Sequence, residues 1–275
     1  MRMKNVVITG GTDGIGRAIA LHHLERGDAV LVIGRDPAKG RAFLEAAEEI
    51  GAGERAVFLP ADLSLVRETG AVLEQIADRF PVLDALVLCA RHFLSERRET
   101  DEGFEHNFAL FYLNRFLLSH GLSGLLEKAE RPVVMNVAGP GADLSLIRWD
   151  DLGLTRGYDG GAALGQAGKL NDLLGVSFAG RSARARYVLF HPGTVATGFS
   201  GEYDAATASR VEAMKRSAKP VGEAVPPILD LIANPPAEPL SAFVEGRRIG
   251  VDGASFDPGA AARLHDRTRE LLVGS

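Results

Sequence analysis

The sequence predicts a single α/β domain built on a parallel β-sheet. Three observations support this prediction: short apolar runs alternate with helical patterns, a glycine-rich turn joins the first run to the first helix, and no repeat or low-complexity block interrupts the alternation. Such alternation is typical of right-handed βαβ units, whose helices cover both faces of a parallel sheet. The chain has 275 residues, 46% of them hydrophobic, so one core can bury the whole sheet.

The elements follow from the periodicity of apolar residues. Strands are predicted near 4–9, 29–34, 55–60, 83–89, 132–138 and 185–191, and helices near 14–26, 37–51, 64–79, 101–127 and 161–180. Past Phe199 come a helical stretch near 204–217, a proline-rich region from 220 to 239, the stretch 241–251 and a charged final helix. We predict one domain, 1–275, with a core of about 1–199 and a substrate-lid and C-terminal segment of about 200–275. An ordinary surface excursion is the alternative.

The first turn has the features of a dinucleotide cradle. The run Val6-Val7-Ile8 leads into Thr9-Gly10-Gly11-Thr12-Asp13-Gly14-Ile15-Gly16, and a helix follows. Glycines remove the Cβ atoms that would block a pyrophosphate, and the free amides of a helix start can bind it. The turn therefore predicts a Rossmann-type, doubly wound sheet. The expected cofactor contacts here are Gly10, Thr12, Asp13, Gly14, Ile15 and Gly16.

Residues that end the next two strands indicate which cofactor is preferred. Arg35 stands where an adenosine ribose would lie, and its planar guanidinium suits a 2′-phosphate, so we expect NADP(H) rather than NAD(H). A solvated charge is the alternative for Arg35. Asp62 can accept the adenine amino hydrogen, or it can cap the helix that starts near Leu65, a task that Ser64 also suits.

Composition and charge exclude several classes of function. The formal net charge is −5, and no basic run is long enough for nucleic acid or an anionic membrane, so small molecules are the expected partners. Cys89 is the only cysteine, which rules out an internal disulfide and fits a reducing cytoplasm. The sequence shows no signal peptide and no apolar stretch of membrane-spanning length, so a cytoplasmic location is expected. The seven histidines lack metal-ligand spacing, and no metal is predicted.

Several ordered motifs resemble the short-chain dehydrogenase/reductase (SDR) family, most closely its retinol-dehydrogenase-like branch. They are Thr9-Gly10 to Gly16, Ala61-Asp62-Leu63, Asp84-Ala85-Leu86-Val87, Asp101-Glu102-Gly103-Phe104-Glu105, Asn136-Val137 and His191-Pro192-Gly193-Thr194-Val195-Ala196-Thr197. The resemblance implies a nicotinamide-dependent oxidoreductase. It also implies further cofactor contacts at Leu63, Cys89, Ala90, Arg91, Val137, Lys169, Pro192, Gly193, Val195 and Thr197.

The chain departs from the family pattern at the acid-base residues. The family uses Tyr-x-x-x-Lys on a helix, where the lysine lowers the pKa of the phenol and holds the nicotinamide ribose. Here Lys169 is present, but Gly165 lies four residues before it, and a shift of one residue offers only Leu164. The family serine maps to Gly139 and the helical asparagine to Phe111. The active site is therefore expected to be degenerate, with Lys169 keeping its ribose contact.

Two hypotheses follow from the missing phenol. Gly165 and Gly168 lie on one helix face, so a bulky, even polycyclic, substrate or another side chain can fill the space. A replacement acid is expected from the loop after the fifth strand, with Tyr158 as the catalytic candidate beside Lys169. The other candidates in that loop are Asp143, Ser145, Asp150 and Asp151. A surface position is the alternative for Tyr158.

Three functions compete at this stage. The first is an NADP(H)-dependent oxidoreductase acting on a bulky quinone- or enone-like molecule. The second is a non-redox dehydratase, isomerase or cyclase on the same scaffold, and the third is a catalytically silent, cofactor-binding relative that acts through a partner. Arg91 either strengthens cofactor binding or obstructs the cleft.

A homo-oligomer, a dimer or tetramer, is expected. The apolar stripe of the long helix suits a subunit contact, and core packing is the alternative. The stripe consists of Phe104, Phe108, Phe111, Leu113, Phe116 and Leu117.

Overall fold

A central, mostly parallel sheet organises the protein. The computed structural model describes residues 2–273. Its strands are Asn5–Thr9 (β1), Ala29–Gly34 (β2), Ala56–Pro60 (β3), Ala85–Leu88 (β4), Phe93–Leu94 (β5), Val133–Val137 (β6), Arg186–His191 (β7), Gly201–Glu202 (β8), Leu240–Val244 (β9) and Arg247–Ile249 (β10). Eight of them form one sheet in the order β10-β9-β7-β6-β4-β1-β2-β3, while β5 pairs with β8. The prediction of an α/β fold with a doubly wound sheet is confirmed.

Helices cover both faces of this sheet. They are Gly14–Glu25 (α1), Pro37–Glu49 (α2), Val66–Arg79 (α3), His106–Phe108 (α4), Asn114–Gly121 (α5), Ser123–Leu126 (α6), Gly160–Ala179 (α7), Ala205–Ser217 (α8), Val221–Ala224 (α9), Pro226–Ala233 (α10) and Pro258–Val273 (α11). Two apolar clusters, one on each face of the sheet, form the core. Among residues 2–273, no helix is both long and apolar enough to cross a bilayer.

The long helix predicted over 101–127 begins later than expected. Glu105 caps it by accepting hydrogen bonds from the amides of Asn107 and Phe108, and Gly103 turns the preceding chain with φ +82°. Between α4 and α5 the residues Ala109–Leu113 widen into a π-helical turn. Such turns are frequent at functional sites.

The apolar stripe of this helix belongs to the core. Five of the six predicted contact residues are at most 9% exposed, and all of these pack within the chain itself. The stripe therefore is not available as a subunit contact, and the alternative of core packing is correct for those five. They are Phe104, Phe108, Phe111, Leu113 and Phe116. Homo-oligomerisation remains a prediction.

The segment past Phe199 divides into two parts. Gly201–Glu202 pairs in parallel with β5, whereas β9 is hydrogen-bonded in parallel to β7 inside the main sheet, and the lid role of the first part stays a prediction. The final helix α11 packs against α7. The residues from Leu240 onward thus add strands to the sheet and a helix that packs on α7. The apolar pattern of the sequence past the proline-rich region did not indicate this.

Candidate functional site

A cleft of about 610 Å³ opens at the carboxyl ends of the parallel strands. The loops after β1, β2, β3, β4, β6 and β7 contribute to its walls, as do α7 and the start of the lid. The strand order reverses between β1 and β4, and ligands bind at such reversal points in open α/β sheets. The position of the cleft is therefore that of a dinucleotide site.

The turn after β1 approaches its neighbours too closely for side chains. A Cβ atom on Gly10 would lie 2.8 Å from Cα of Ala90, and one on Gly16 would lie 2.3 Å from the carbonyl oxygen of Gly10. Asp13 caps α1 by accepting from the amide of Gly14 at 2.7 Å. The amides of Ile15 and Gly16 have no acceptor within the helix, because the first intrahelical bond is donated by Arg17. The cradle fits a pyrophosphate.

Charged side chains gather at the end of the cleft formed by β2 and β3. Arg35 is exposed there, and Lys39 is paired with Asp13. Asp36 caps α2 through the amides of Ala38 and Lys39, so its carboxylate is already engaged. A guanidinium at the strand end, next to acids whose carboxylates are already hydrogen-bonded or ion-paired, suits a phosphate on the ribose.

Asp62 lies in the same cleft but does not cap α3 directly. Its Oδ1 accepts from the amide and the hydroxyl of Ser64, at 2.9 and 2.7 Å. The first amides of α3, those of Val66 and Arg67, donate instead to the Glu102 carboxylate. Asp62 therefore shapes the turn before the helix and still faces the cleft.

The structure brings the predicted cofactor contacts together, with one exception. All of them except Lys169 line the same cleft: Gly10, Thr12, Asp13, Gly14, Ile15, Gly16, Arg35, Asp62, Leu63, Cys89, Ala90, Arg91, Val137, Pro192, Gly193, Val195 and Thr197. Burial raises the pKa of the Cys89 thiol to about 12, so this cysteine stays protonated and unreactive.

Lys169 points away from the cleft, and its expected role was wrong. Its side chain is fully buried, with Nζ 3.2 Å from Oδ2 of Asp172. Nζ also donates to the carbonyl oxygen of Ser255 and lies 5.2 Å from the ring centroid of Phe256. A helix turns by about 100° per residue, so the neighbouring Gly168, not Lys169, faces the cleft. Lys169 joins α7 to the segment before α11.

Tyr158 is also remote from the cleft. Its hydroxyl accepts from Asn107 Nδ2 at 2.8 Å and donates to Glu105 at 3.1 Å. Burial and the Glu105 carboxylate raise the pKa of this phenol, the opposite of what a proton donor at neutral pH needs. The other loop candidates lie outside the cleft as well: Asp143, Ser145, Asp150 and Asp151. The loop after β6 therefore supplies no replacement acid from these side chains.

Apolar groups and glycines line the end of the cleft between α7 and the π-helical turn. They are Leu110, Phe111, Gly139, Leu164, Gly165, Ala167 and Gly168. A Cβ atom on Gly168 would lie 3.3 Å from the carbonyl oxygen of Gly139, and one on Gly165 would lie 3.4 Å from Cδ1 of Leu146. Gly165 and Gly168 thus border the open cleft, and their lack of side chains lets the loop after β6 approach α7 closely.

A buried polar network forms the floor of this end. The guanidinium of Arg115 donates to Oδ1 of Asn136, to the carbonyl oxygen of Val137 at 3.0 Å and to that of Ala90 at 3.3 Å. Asn136 in turn donates to Asn171 at 2.8 Å, and Asn171 donates to the carbonyl oxygen of Phe111 at 2.7 Å. Arg115 and Asn171 were missed from the sequence. The sequence did contain a signal for Arg115. It lies four residues after Phe111 on one helix, so the two side chains fall on the same helix face.

His191 is a further residue of the cleft that sequence reasoning left without a role. The amide of Gly193 donates to its Nδ1 at 3.2 Å, so the neutral ring carries its proton on Nε2. A Cβ atom on Gly139 would lie 3.8 Å from Cδ2 of His191, the carbon bonded to Nε2. Burial lowers the pKa of His191 below 6.5, which favours this neutral form.

Comparisons with known proteins agree with the geometry. The family model described as short chain dehydrogenase matches residues 4–147. A relative from Streptomyces sp. (strain C5), named "Putative daunorubicin C-13 ketoreductase DnrU", is 32% identical over 269 residues, which are 95% of this chain and 90% of the relative. The chain belongs to the short-chain dehydrogenase/reductase family. Members of this family are oxidoreductase enzymes.

Other SDR relatives are more distant. Human retinol dehydrogenase 14 is 30% identical over 213 residues, which cover 72% of this chain and 63% of that protein. A short-chain dehydrogenase from Streptomyces avermitilis shares the fold with a TM-score of 0.63 at 18% identity, covering 98% of this chain and 96% of that one. An alcohol dehydrogenase from Thermococcus sibiricus, solved with 5-hydroxy-NADP, has a TM-score of 0.66 at 19% identity, with 90% and 97% coverage.

Proposed function

We propose that this SDR enzyme binds NADP(H) in the cleft and reduces a carbonyl group or conjugated carbon of a bulky small molecule without a tyrosine acid. The observation that carries the proposal is the convergence of the glycine cradle, Arg35 and the Pro192-Gly193 turn on one cleft. The relative named as a ketoreductase, which aligns over nearly the whole chain, supports a ketone as the reacting group.

In this proposal each group of cleft residues has a defined task. The amides of the cradle hold the pyrophosphate, Arg35 pairs with the 2′-phosphate, and Val195 and Thr197 border the nicotinamide end. When bound, NADPH supplies a hydride to the substrate carbon. Phe111, Leu164 and the glycines of α7 exclude water from that end and leave space for a large substrate.

His191 takes over the electrophilic task that a phenol performs elsewhere in the family. Its neutral ring presents Nε2–H beside Gly139, where the family serine would stand. A hydrogen bond from Nε2–H stabilises the negative charge that develops on the substrate oxygen. Water then supplies the proton that completes the alcohol, so the histidine keeps its own.

Two measurements test this proposal in sequence. Isothermal titration calorimetry compares NADPH with NADH, and NADPH is expected to bind more tightly. Stopped-flow absorbance then follows oxidation of NADPH with a panel of bulky ketones, quinones and enones, for the wild type and His191→Gln. We expect turnover by the wild type and a slower hydride step in the variant, with His106→Gln, which lies outside the cleft, as the control. Silence across the whole panel would contradict the redox proposal.

One observation favours a second candidate, a catalytically silent relative that binds cofactor and acts through a partner. Leu164 and Gly168, four residues apart on the cleft face of α7, offer no ionisable group where the family pattern has tyrosine and lysine. This candidate predicts tight NADPH binding with no turnover. It also predicts that Arg35→Gln impairs the partner's activity as strongly as it impairs NADPH binding.

A further inference from the structure

Charges are distributed unevenly along the cleft. Every acidic side chain that lines it comes from the loops after β1, β2 and β3: Asp13, Asp36 and Asp62. From β4 onward the ionisable lining residues are Cys89, Arg91, His92, Arg115 and His191, and none of them is a carboxylate. The end where the substrate lies therefore carries two guanidinium groups and no acid.

Among the described residues, Arg115 is a buried cation that forms no ion pair with a carboxylate. It is 5% exposed, and its three hydrogen bonds go to neutral oxygens, those of Asn136, Val137 and Ala90. Burial lowers its pKa to about 10, so the group stays charged at neutral pH. A buried charge held only by neutral acceptors costs free energy that an anionic neighbour would offset.

Arg91 extends the same positive region toward the mouth of the cleft. It directly follows Ala90, whose carbonyl oxygen Arg115 binds, and its own side chain lines the cleft. Within residues 2–273 it forms no ion pair, and its side chain is exposed to solvent at the mouth. The positive charge of Arg91 contributes to the lowered pKa of Arg115, after the larger effect of burial.

The acids nearest to this end are engaged elsewhere. Glu202 forms a bidentate ion pair with Arg98, with N–O distances of 2.6 and 3.0 Å, and its Oε1 lies 3.8 Å from Nε2 of His92. Glu245 lies 3.7 Å from Nζ of Lys219. No carboxylate among residues 2–273 forms an ion pair with Arg91 or Arg115, so an anionic ligand would offset their charge.

We propose that Arg115 and Arg91 select a substrate bearing an oxyanion, a carboxylate or an ionised phenol, beside the group that is reduced. Guanidinium groups bind carboxylates through two parallel N–H bonds, which would orient a flat, bulky molecule between Phe111 and Leu164. This inference rests on the proposed function, because it names the substrate class of the same cleft.

The experiment uses a matched pair of probes, anthraquinone-2-carboxylate and its neutral carboxamide. Calorimetry measures each on the full chain, first alone and then with saturating NADP⁺. We expect the carboxylate to bind roughly tenfold or more tightly than the carboxamide, and the preference to weaken with added salt. Equal affinities for the two probes would overturn the proposal.

Substitutions locate the anion within the cleft. Arg91→Gln and Arg115→Lys are expected to reduce the preference for the carboxylate, whereas Arg41→Gln, an exposed arginine outside the cleft, should leave it unchanged. Arg91 is exposed, so Arg91→Gln tests the idea even where a change at buried Arg115 prevents folding. A loss of preference in Arg35→Gln alone would place the anion at the adenosine end and contradict the proposal.

Failure of the proposed function would look different. The rise in fluorescence of bound NADPH reports the cofactor independently of either probe. A protein that binds the carboxylate but not NADPH would refute the proposed function and keep the anion site. A protein that binds NADPH but shows no preference between the probes would refute the anion site and leave the proposed function standing.

Discussion

Nζ of Lys169 lies 3.2 Å from Oδ2 of Asp172, one turn further along α7, and neither side chain is exposed. Asp172 also accepts from the amide of Gly141 at 3.0 Å. The pair therefore joins three segments: α7, the loop after β6 and, through the carbonyl oxygen of Ser255, the approach to α11. This is a structural position, and it explains why a lysine is buried on this helix.

Replacement of Lys169 by methionine should reduce stability without affecting the cofactor. The buried Asp172 carboxylate would lose its partner, which typically costs about 3–5 kcal/mol. Urea unfolding measures this loss, and the affinity for NADPH should remain within about twofold of the wild type. The double variant Lys169→Met/Asp172→Leu should recover much of the stability. A large loss of NADPH affinity in a stable single variant would instead indicate that Lys169 contacts the nicotinamide ribose.

The same variant should respond to pH. Burial raises the pKa of Asp172 to about 6 although Lys169 opposes the shift. Loss of the lysine leaves the raised pKa unopposed, so the folded variant binds a proton more tightly than the unfolded chain. Its stability deficit should be small near pH 4 and grow as the pH rises through 6.

Arg35→Gln should change coenzyme preference. Loss of a charge-assisted bond to the 2′-phosphate is expected to weaken NADPH binding by roughly tenfold or more and to leave NADH nearly unchanged. Arg41→Gln is the matched control, since Arg41 is an exposed arginine of α2 that does not line the cleft. Competition calorimetry with both coenzymes gives the ratio. An equal loss for NADPH and NADH would show that Arg35 does not recognise the phosphate.

The cleft face of α7 can be tested by restoring the family pattern. In Leu164→Tyr/Gly168→Lys/Gly139→Ser, the phenol, ammonium and hydroxyl would all face the cleft. We expect a gain in NADPH oxidation with bulky ketones over the wild type. The control carries Leu164→Phe in place of Leu164→Tyr, so the two triple variants differ by one hydroxyl. Identical rates would show that the phenol at 164 cannot act.

His106 should make the protein sensitive to mild acid. It is 8% exposed, and burial, together with the charge of His92, lowers its pKa to about 4. Below pH 6.5 the unfolded chain takes up a proton that the folded chain refuses, so stability falls as the pH drops toward 4. Between pH 7 and pH 5, His106→Gln should lose on the order of 2 kcal/mol less than the wild type. Parallel urea titrations at both pH values measure the difference, and equal losses would contradict it.

The parts of the site that sequence motifs predicted are those set by backbone geometry. Gly10 and Gly16 are required because a Cβ atom would collide with backbone, and such collisions appear in the sequence as glycine spacing. The position of Arg35 in the cleft was predictable because it directly follows a β-branched strand, and its contact with the cofactor stays a prediction. Local apolar patterns also predicted six of the strands of the main sheet.

The predictions that failed depend on contacts distant in sequence. The direction of Lys169 is fixed by Asp172 and by Ser255, which lies 86 residues away, and motif spacing does not report that contact. The spacing of the motif therefore predicts a cleft-facing lysine where the structure has a buried one. Likewise β9 joins the sheet only by pairing with β7 across the proline-rich region. Arg115 gains its place from carbonyl oxygens of two different strand ends.

The short pairing of β5 with β8 anchors the segment that begins the lid. Phe93 and Ser95 donate to the carbonyl oxygens of Ser200 and Glu202, both at 3.0 Å, and His92 bonds the Ser200 hydroxyl at 2.7 Å. The start of the lid is thereby fastened to the strand end that carries Arg91. The amide of Asp204 also donates to the Ser95 hydroxyl at 2.7 Å, so the chain is anchored as far as the residue that caps α8, the helix whose Met214 borders the cleft.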